Sequence, residues 1–193
     1  MSASELEVHE RWMRCAIAKA EAARGSTGDN PWVGCVIVSA QGALLAEGHT
    51  QGPGEDHAEI VAMASARRDG ADLSSATLYS TLEPCSFHGR TRACAHAILE
   101  SGLRKVVVGA LDPNPRVDGL GLRILREGGA EVLDAVCEEE VTAQLAAWLL
   151  RYHPHEPARR AAALAASLPR RDAIARVAAL YALDLKAAAK LTP

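Results

Sequence analysis

Aromatic side chains are scarce in this sequence, with one Phe, three Trp and three Tyr in 193 residues. Proteins that read extruded nucleic-acid bases stack them on aromatic faces, so a set this small argues against that role. Long apolar runs are missing as well. None approaches the roughly 20 residues that cross a bilayer, which excludes a membrane-spanning helix. The N-terminal residues lack the charged-then-apolar pattern of an export signal, and the expected compartment is the cytoplasm. Cysteine is sparse and odd in number, with five residues. Without an export signal this argues against a disulfide framework and leaves metal binding or burial to account for the thiols.

What is present suits a soluble globular chain: 49% apolar and 23% charged residues, enough to fill a core. The length allows one domain with a few dozen residues over. Charge is uneven. Residues 158–193 carry a net +5 and the remainder −8, giving the formal −3 of the whole.

Hydrophobic periodicity predicts a helix over residues 9–24, with Trp12, Cys15, Ile17, Ala20 and Ala23 on its apolar face and Gly25 as a stop. A hairpin follows, with strands at 33–38 and 43–46 around Gln41-Gly42. Helices are expected at 57–68, from Cys94 to Gly102, at 119–127 and at 138–152. Strands are expected at 76–81, 105–109 and 130–133. Strands alternating with helices imply a largely parallel sheet covered on both faces. The two prolines of His153-Pro154-His155-Glu156-Pro157 mark a linker, so the expected organisation is a domain over 1–152, a linker at 153–157 and a helical tail over 158–193. In that tail Ile174, Val177, Ala178 and Tyr181 share a helical face, and Asp184 is a candidate N-cap for a last helix.

One constellation carries chemistry. His57-Ala58-Glu59 opens a predicted helix, Pro84-Cys85 closes a predicted strand, and Cys94 stands at the next helix start, where the helix dipole favours thiolate. One imidazole and two thiolates make a three-ligand zinc set with an open fourth position, and a nearby carboxylate such as Glu59 can carry protons to and from a bound water. The pattern His-x-Glu followed by Pro-Cys-x-x-Cys belongs to zinc deaminases, and this chain departs from it by placing eight residues between the cysteines. Cys15, Cys35 and Cys137 lie within apolar runs or at helix starts and are expected to be core residues.

The motifs Asn30-Pro31-x-Val33-Gly34-Cys35-Val36-Ile37, Glu47-Gly48-His49, His57-Ala58-Glu59, Thr81-Leu82-Glu83-Pro84-Cys85, Gly89-Arg90-Thr91, Cys94 and Asp112-Pro113-Asn114-Pro115 occur in that order. Together, over roughly residues 9–150, they resemble the deaminase domain of the bacterial riboflavin-biosynthesis deaminase-reductase family, in which the longer loop between the cysteines is normal. The resemblance implies an α/β protein, specifically a three-layer α/β/α cytidine-deaminase-like fold around a mixed, largely parallel sheet, here with a small helical C-terminal appendage. It implies one zinc ion per chain on His57, Cys85 and Cys94, with Glu59 catalytic. The implied substrate is the diaminohydroxyphosphoribosylaminopyrimidine of riboflavin biosynthesis, deaminated to the corresponding uracil. Asn30 and His49 would meet its ring or ribose, Arg90 and Thr91 would also meet the substrate, with Arg90 as a phosphate partner, and Asp112 and Asn114 would lie near its sugar. The family carries a His where this chain has Phe87, which cannot make that hydrogen bond, and His88 is placed to substitute for it. It also carries two prolines where this chain has Arg92-Ala93. Nothing after Tyr152 matches the family's reductase domain, so a separate reductase is the expected partner within that pathway. A homodimer or homotetramer is expected from the same resemblance.

Two other readings compete. A deaminase acting on another aminated heterocycle, a nucleoside or an RNA base would use the same metal chemistry, although the core lacks the basic tracts that bind nucleic acid. A structural zinc clip in a binding module would need a fourth protein ligand and would make no use of Glu59.

Overall fold

The computed structural model describes residues 1–87 and 92–183. It starts with helix α1 (Ala3–Ala20), continued by a single 3-10 turn (Glu21–Ala23). Strand β1 (Gly34–Val38), strand β2 (Leu44–His49), helix α2 (Ala58–Arg68), strand β3 (Thr77–Leu82) and helix α3 (Cys94–Glu100) follow. The order continues with β4 (Lys105–Ala110), α4 (Leu120–Glu127), β5 (Glu131–Leu133), α5 (Glu138–Tyr152), α6 (Glu156–Ala165) and α7 (Arg170–Leu180).

The sheet order is β2-β1-β3-β4-β5. β1 runs antiparallel to both its neighbours, whereas β3, β4 and β5 run parallel. Four of the five strands therefore point one way and β1 alone is reversed, which makes the sheet mixed and largely parallel, in agreement with the sequence. Every residue of β1 is buried, and so is every residue of β3 and β4 after the first, as strands covered on both faces require.

Small residues set how closely the layers approach. A Cβ added at Gly34 would lie 2.0 Å from the Ala16 carbonyl of α1, and one added at Gly48 would lie 2.4 Å from the Ala58 carbonyl of α2. Gly48 pairs with Cys35, the residue after Gly34, and successive side chains of a strand point to opposite faces. So α1 packs on one face of the sheet and α2 on the other, where α3 and α4 lie beside it. This is the three-layer α/β/α arrangement.

Helix α1 differs from its expected form in two ways. It begins six residues earlier, because Ser2 and Glu5 form a capping box in which the Ser2 hydroxyl accepts the Glu5 N–H and the Glu5 carboxylate accepts the Ser2 N–H. Its buried face runs through Met13, Ala16 and Ala20, while Cys15 is exposed. Close approach to Gly34 selects small residues, and bulk hydrophobicity points to the wrong side. Cys35 is buried as expected and Cys137 is half-buried.

The chain divides into two compact units, Met1–Val141 and Thr142–Pro193. Within the second, Pro157 occupies the first turn of α6, where a missing N–H costs nothing, so the residues read as linker include a helix start. The Arg160 guanidinium donates to the Thr142 hydroxyl at 3.1 Å, and Trp148 packs on His153 with ring centroids 4.8 Å apart. On α7, Val177 and Ala178 are buried and Ile174 is half-buried, and Tyr181, just past its end, is buried. The predicted cap at Asp184 lies outside the described residues.

Filling either close contact forces a helix away from the sheet. Gly34→Ala and Gly48→Ala are each expected to destabilise the protein by about 2 kcal/mol or more, overpacking against backbone that cannot rotate aside. In thermal unfolding followed by circular dichroism this reads as a fall in Tm of at least about 4 °C. A Tm unchanged in both variants would contradict the close packing described.

Candidate metal centre

The register places several loop residues at one end of the sheet. Gly34 pairs with His49, and Cys35 pairs with Ser80, so the start of β1 and the ends of β2 and β3 coincide. Leu82 pairs with Ala110, which brings the end of β4 to the same edge. Asn30, His49, Cys85, Asp112 and Asn114 all belong to this end, on the carboxyl side of the parallel strands, where open α/β sheets present their sites.

Helices α2 and α3 start there too. His57 is the N-cap of α2, in extended conformation and with its side chain free of any capping bond. Glu59 follows in the first turn and is 3% exposed. Cys94 is the first residue of α3. The α3 N-terminus grips Cys85 twice: the Cys94 N–H donates to the Cys85 sulfur at 3.2 Å and the Ala95 N–H to the Cys85 carbonyl at 3.2 Å. These two bonds hold the cysteines together whatever path the intervening eight residues take, so the longer spacing does not separate them.

His57 Nδ1 stands 3.7 Å from Cys85 Sγ and 3.4 Å from Cys94 Sγ, and the three ligand atoms all lie within 4.8 Å of one another. A tetrahedral zinc site with ordinary Zn–S and Zn–N lengths has N···S edges of about 3.6 Å, so the three donors fit such an ion. Among the described residues the group has three members, the set expected of a centre with one open position.

Electrostatics favour the same assignment. The hydrogen bond from the Cys94 thiol, with further bonds from His57 and the Cys94 N–H, pulls the Cys85 thiol well below the usual range. The same bond to Cys85, with burial and the Glu59 charge, pushes Cys94 up, so two adjacent thiolates call for a cation. His57 is raised to about 8 by its bond to Cys85. Burial raises the Glu59 carboxyl to about 7, with His57 partly opposing, which puts a proton carrier near neutrality beside the ligands.

The remaining predicted contacts are placed as follows. His49 Nδ1 is buried with no hydrogen-bond partner among the described residues, and burial lowers the pKa of the ring. Asn30 closes a turn in which its carbonyl accepts from the Thr27 hydroxyl at 2.6 Å. Asp112 and Asn114 shape their own loop: Asp112 accepts the Asn114 N–H at 2.9 Å, and the Asn114 side-chain oxygen accepts the Arg116 N–H at 3.1 Å. Burial raises Asp112 to about 6. His88, Arg90 and Thr91 lie outside the described residues. Phe87, which stands where the resembled family carries a His, is covered by the Arg116 guanidinium 3.8 Å from its ring centroid.

Glu83 belongs to one of the sequence motifs, yet residue chemistry alone assigns it no role. It is 4% exposed, and its carboxylate accepts from the backbone N–H groups of Asp112, Gly119, Gly121 and Leu122 at 2.8 to 3.4 Å. The available signal is its place, a carboxylate at a strand end directly before a proline and a ligand.

Residues 6–110 match the family model described as the cytidine and deoxycytidylate deaminase zinc-binding region. The riboflavin biosynthesis protein RibD of Aquifex aeolicus is 43% identical over 134 residues, 69% of this chain and 36% of that protein. The chain thus spans about a third of the length of several curated relatives. It covers 85% of a shorter relative, the diaminohydroxyphosphoribosylamino-pyrimidine deaminase of Buchnera aphidicola, with 40% identity over 129 residues, 67% of this chain. Among solved structures, a diaminohydroxyphosphoribosylaminopyrimidine deaminase/5-amino-6-(5-phosphoribosylamino)uracil reductase from Thermotoga maritima superposes with a TM-score of 0.72 at 41% identity, covering 76% of this chain and 41% of that one.

Removal of one sulfur should leave a donor set too weak to retain the ion. Cys85→Ser and Cys94→Ser are expected to weaken zinc binding by at least about 100-fold in competition with a chromogenic chelator. Zinc affinity equal to the parent in either variant would remove that cysteine from the centre.

Proposed function

Because the chain belongs to the cytidine and deoxycytidylate deaminase zinc-binding family, we propose that it is a zinc-dependent hydrolase that deaminates the diaminohydroxyphosphoribosylaminopyrimidine of riboflavin biosynthesis. The observation that carries the proposal is the convergence of His57, Cys85 and Cys94 beside the buried Glu59. One ion per chain would be held by those three residues. When bound, it would supply a water acidic enough, near pH ~7, to act as nucleophile at neutral pH.

The chain's own residues do the rest. Glu59, whose pKa burial raises, takes a proton from the attacking water and passes it to the ring nitrogen, then takes the second proton from the newly added hydroxyl and passes it to the amine, which departs as ammonia and leaves a ring carbonyl. The low-dielectric surroundings that raise its pKa also keep bulk water from competing for that proton. The α3 N–H groups orient Cys85, and the extended N-cap of α2 orients His57, so the ligands are arranged before an ion arrives. Asn30 and His49 are assigned to the ring or ribose, and the unpartnered His49 Nδ1 leaves a buried polar atom for that purpose. Asp112 and Asn114 are assigned to the sugar, Arg90 and Thr91 to the substrate with Arg90 able to bind phosphate oxygens bidentately, and His88 to the hydrogen bond that Phe87 cannot make.

A homodimer or homotetramer is the assembly the family likeness supports. No described helix is long and apolar enough to cross a membrane. The pairing of Phe87 with Arg116 favours one rival, a relative acting on a different aminated heterocycle, because an aromatic ring under a guanidinium stands where the resemblance implies an imidazole.

Ammonia release from the zinc-loaded protein separates these readings. Turnover of the diaminopyrimidine nucleotide is the expected result, and turnover only of another aminated heterocycle selects the rival. Glu59→Gln should keep the metal and lower kcat by about 10²–10⁴-fold. Unchanged kcat would remove Glu59 from the mechanism.

A further inference from the structure

Two stretches of chain are tied together around the Cys85 ligand. Glu83, Ser86 and Phe87 flank it, and each reaches the loop of residues 112–121. The Glu83 carboxylate accepts the Asp112 N–H at 3.3 Å at the base of that loop and the Gly119 N–H at 2.9 Å at its far end. It also accepts the Gly121 and Leu122 N–H groups at 2.8 and 3.4 Å, at the positive end of the α4 dipole. The Ser86 hydroxyl donates to the Arg116 carbonyl at 2.9 Å, and the Arg116 guanidinium covers the Phe87 ring. The fit is tight, since a Cβ added at Gly121 would lie 2.0 Å from the Pro84 carbonyl.

A buried carboxylate is costly unless its lone pairs are filled, and here four backbone donors fill them. All four come from one loop and the helix it leads into, the segment that also presents Asp112 and Asn114 at the metal end of the sheet. We propose that Glu83 is a positioning residue for the substrate pocket: its buried carboxylate locks the 112–121 loop against the strand end that supplies Cys85, and so fixes the pocket wall relative to the metal. Ser86 and the Arg116–Phe87 stack close the outer side of the same clasp. Glu83 touches neither substrate nor metal. It acts through the loop, and its loss loosens substrate binding more than it slows the chemical step. This inference rests on the deaminase reading only for what occupies the pocket.

Glu83→Gln in the full, zinc-loaded chain tests it. The Gln amide group can accept on one atom alone and turns its own N–H donors toward some of the four backbone N–H groups, unpairing them. Hydrogen exchange at Asp112, Gly119, Gly121 and Leu122 is expected to accelerate by about tenfold or more, with zinc content unchanged. KM for the turned-over amine is expected to rise by about tenfold, with kcat per bound zinc falling by less than about threefold. A residue that only stabilised the fold would lower the active fraction and leave the KM of the folded remainder unmoved, which would overturn the proposal. Unaltered exchange in the loop would overturn it equally. If Glu83→Gln does not accumulate as folded protein, Ser86→Ala combined with Arg116→Ala releases the outer ties of the same loop, and an unchanged KM there also counts against the clasp. A parent chain that releases no ammonia from the diaminopyrimidine nucleotide sinks the substrate assignment alone, and the exchange measurement then decides whether Glu83 holds the loop.

Discussion

Two thiolates and an imidazole brought to within a few ångströms of one another repel or compete for protons unless something positive lies between them, and the rest of this molecule is arranged around that constraint. The imidazole comes from the start of α2, one sulfur from the loop that follows β3 and the other from the start of α3. Three elements must therefore be fixed to within tenths of an ångström. The two α3 amides that bind Cys85 do part of this work directly. The same positive helix end that holds the ligand also favours its ionised form, so geometry and charge state have one cause.

Layer packing supplies the rest of the precision. Gly48 lets α2 sit against the hairpin with its backbone in contact with the sheet, and this sets the height at which His57 and Glu59 enter the site. Gly34 does the same for α1 on the opposite face. A carboxylate placed at the first turn of a helix pressed so closely to a covered sheet loses its water, and its pKa moves toward neutrality for that reason. The proposed proton carrier thus owes its properties to the same contacts that hold the metal ligands.

The parts line up into one chemical argument. A three-donor centre with room for a further ligand and a proton carrier poised near neutral pH are what the proposed hydrolytic removal of an aromatic amine needs. The 112–121 loop stands at the same end of the sheet. It is built from Asx turns within itself and held by the Glu83 carboxylate, so the polar groups of Asp112 and Asn114 serve the backbone while standing at the metal end of the sheet.

Much of this is legible in the residues. Alternating apolar runs and turn signals give the order of strands and helices, because burial on two faces demands continuous β-branched strands such as Val106-Val107-Val108. His57, Glu59, Cys85 and Cys94 stand out because each falls at the end of an element beside a partner of fitting chemistry. The true start of α1 escapes such a reading, since the capping signal of Ser2 and Glu5 is polar and leaves no mark on apolar periodicity. Cys15 looks like a core residue because apolar spacing gives weight to large side chains, whereas the contact with the sheet requires alanines. What the sequence determined by itself was local and chemical: which residues could bind a soft divalent ion, which carboxylate could move a proton, and where strands would alternate with helices. Tertiary structure alone decided that the α3 amides hold Cys85 beside Cys94, that Glu83 spends its charge on four distant amides, and that Arg116 lies over Phe87. The reason is range. Element type and ligand chemistry are written in residues a few positions apart, while these contacts join segments as much as 39 positions apart that meet only after the sheet has assembled.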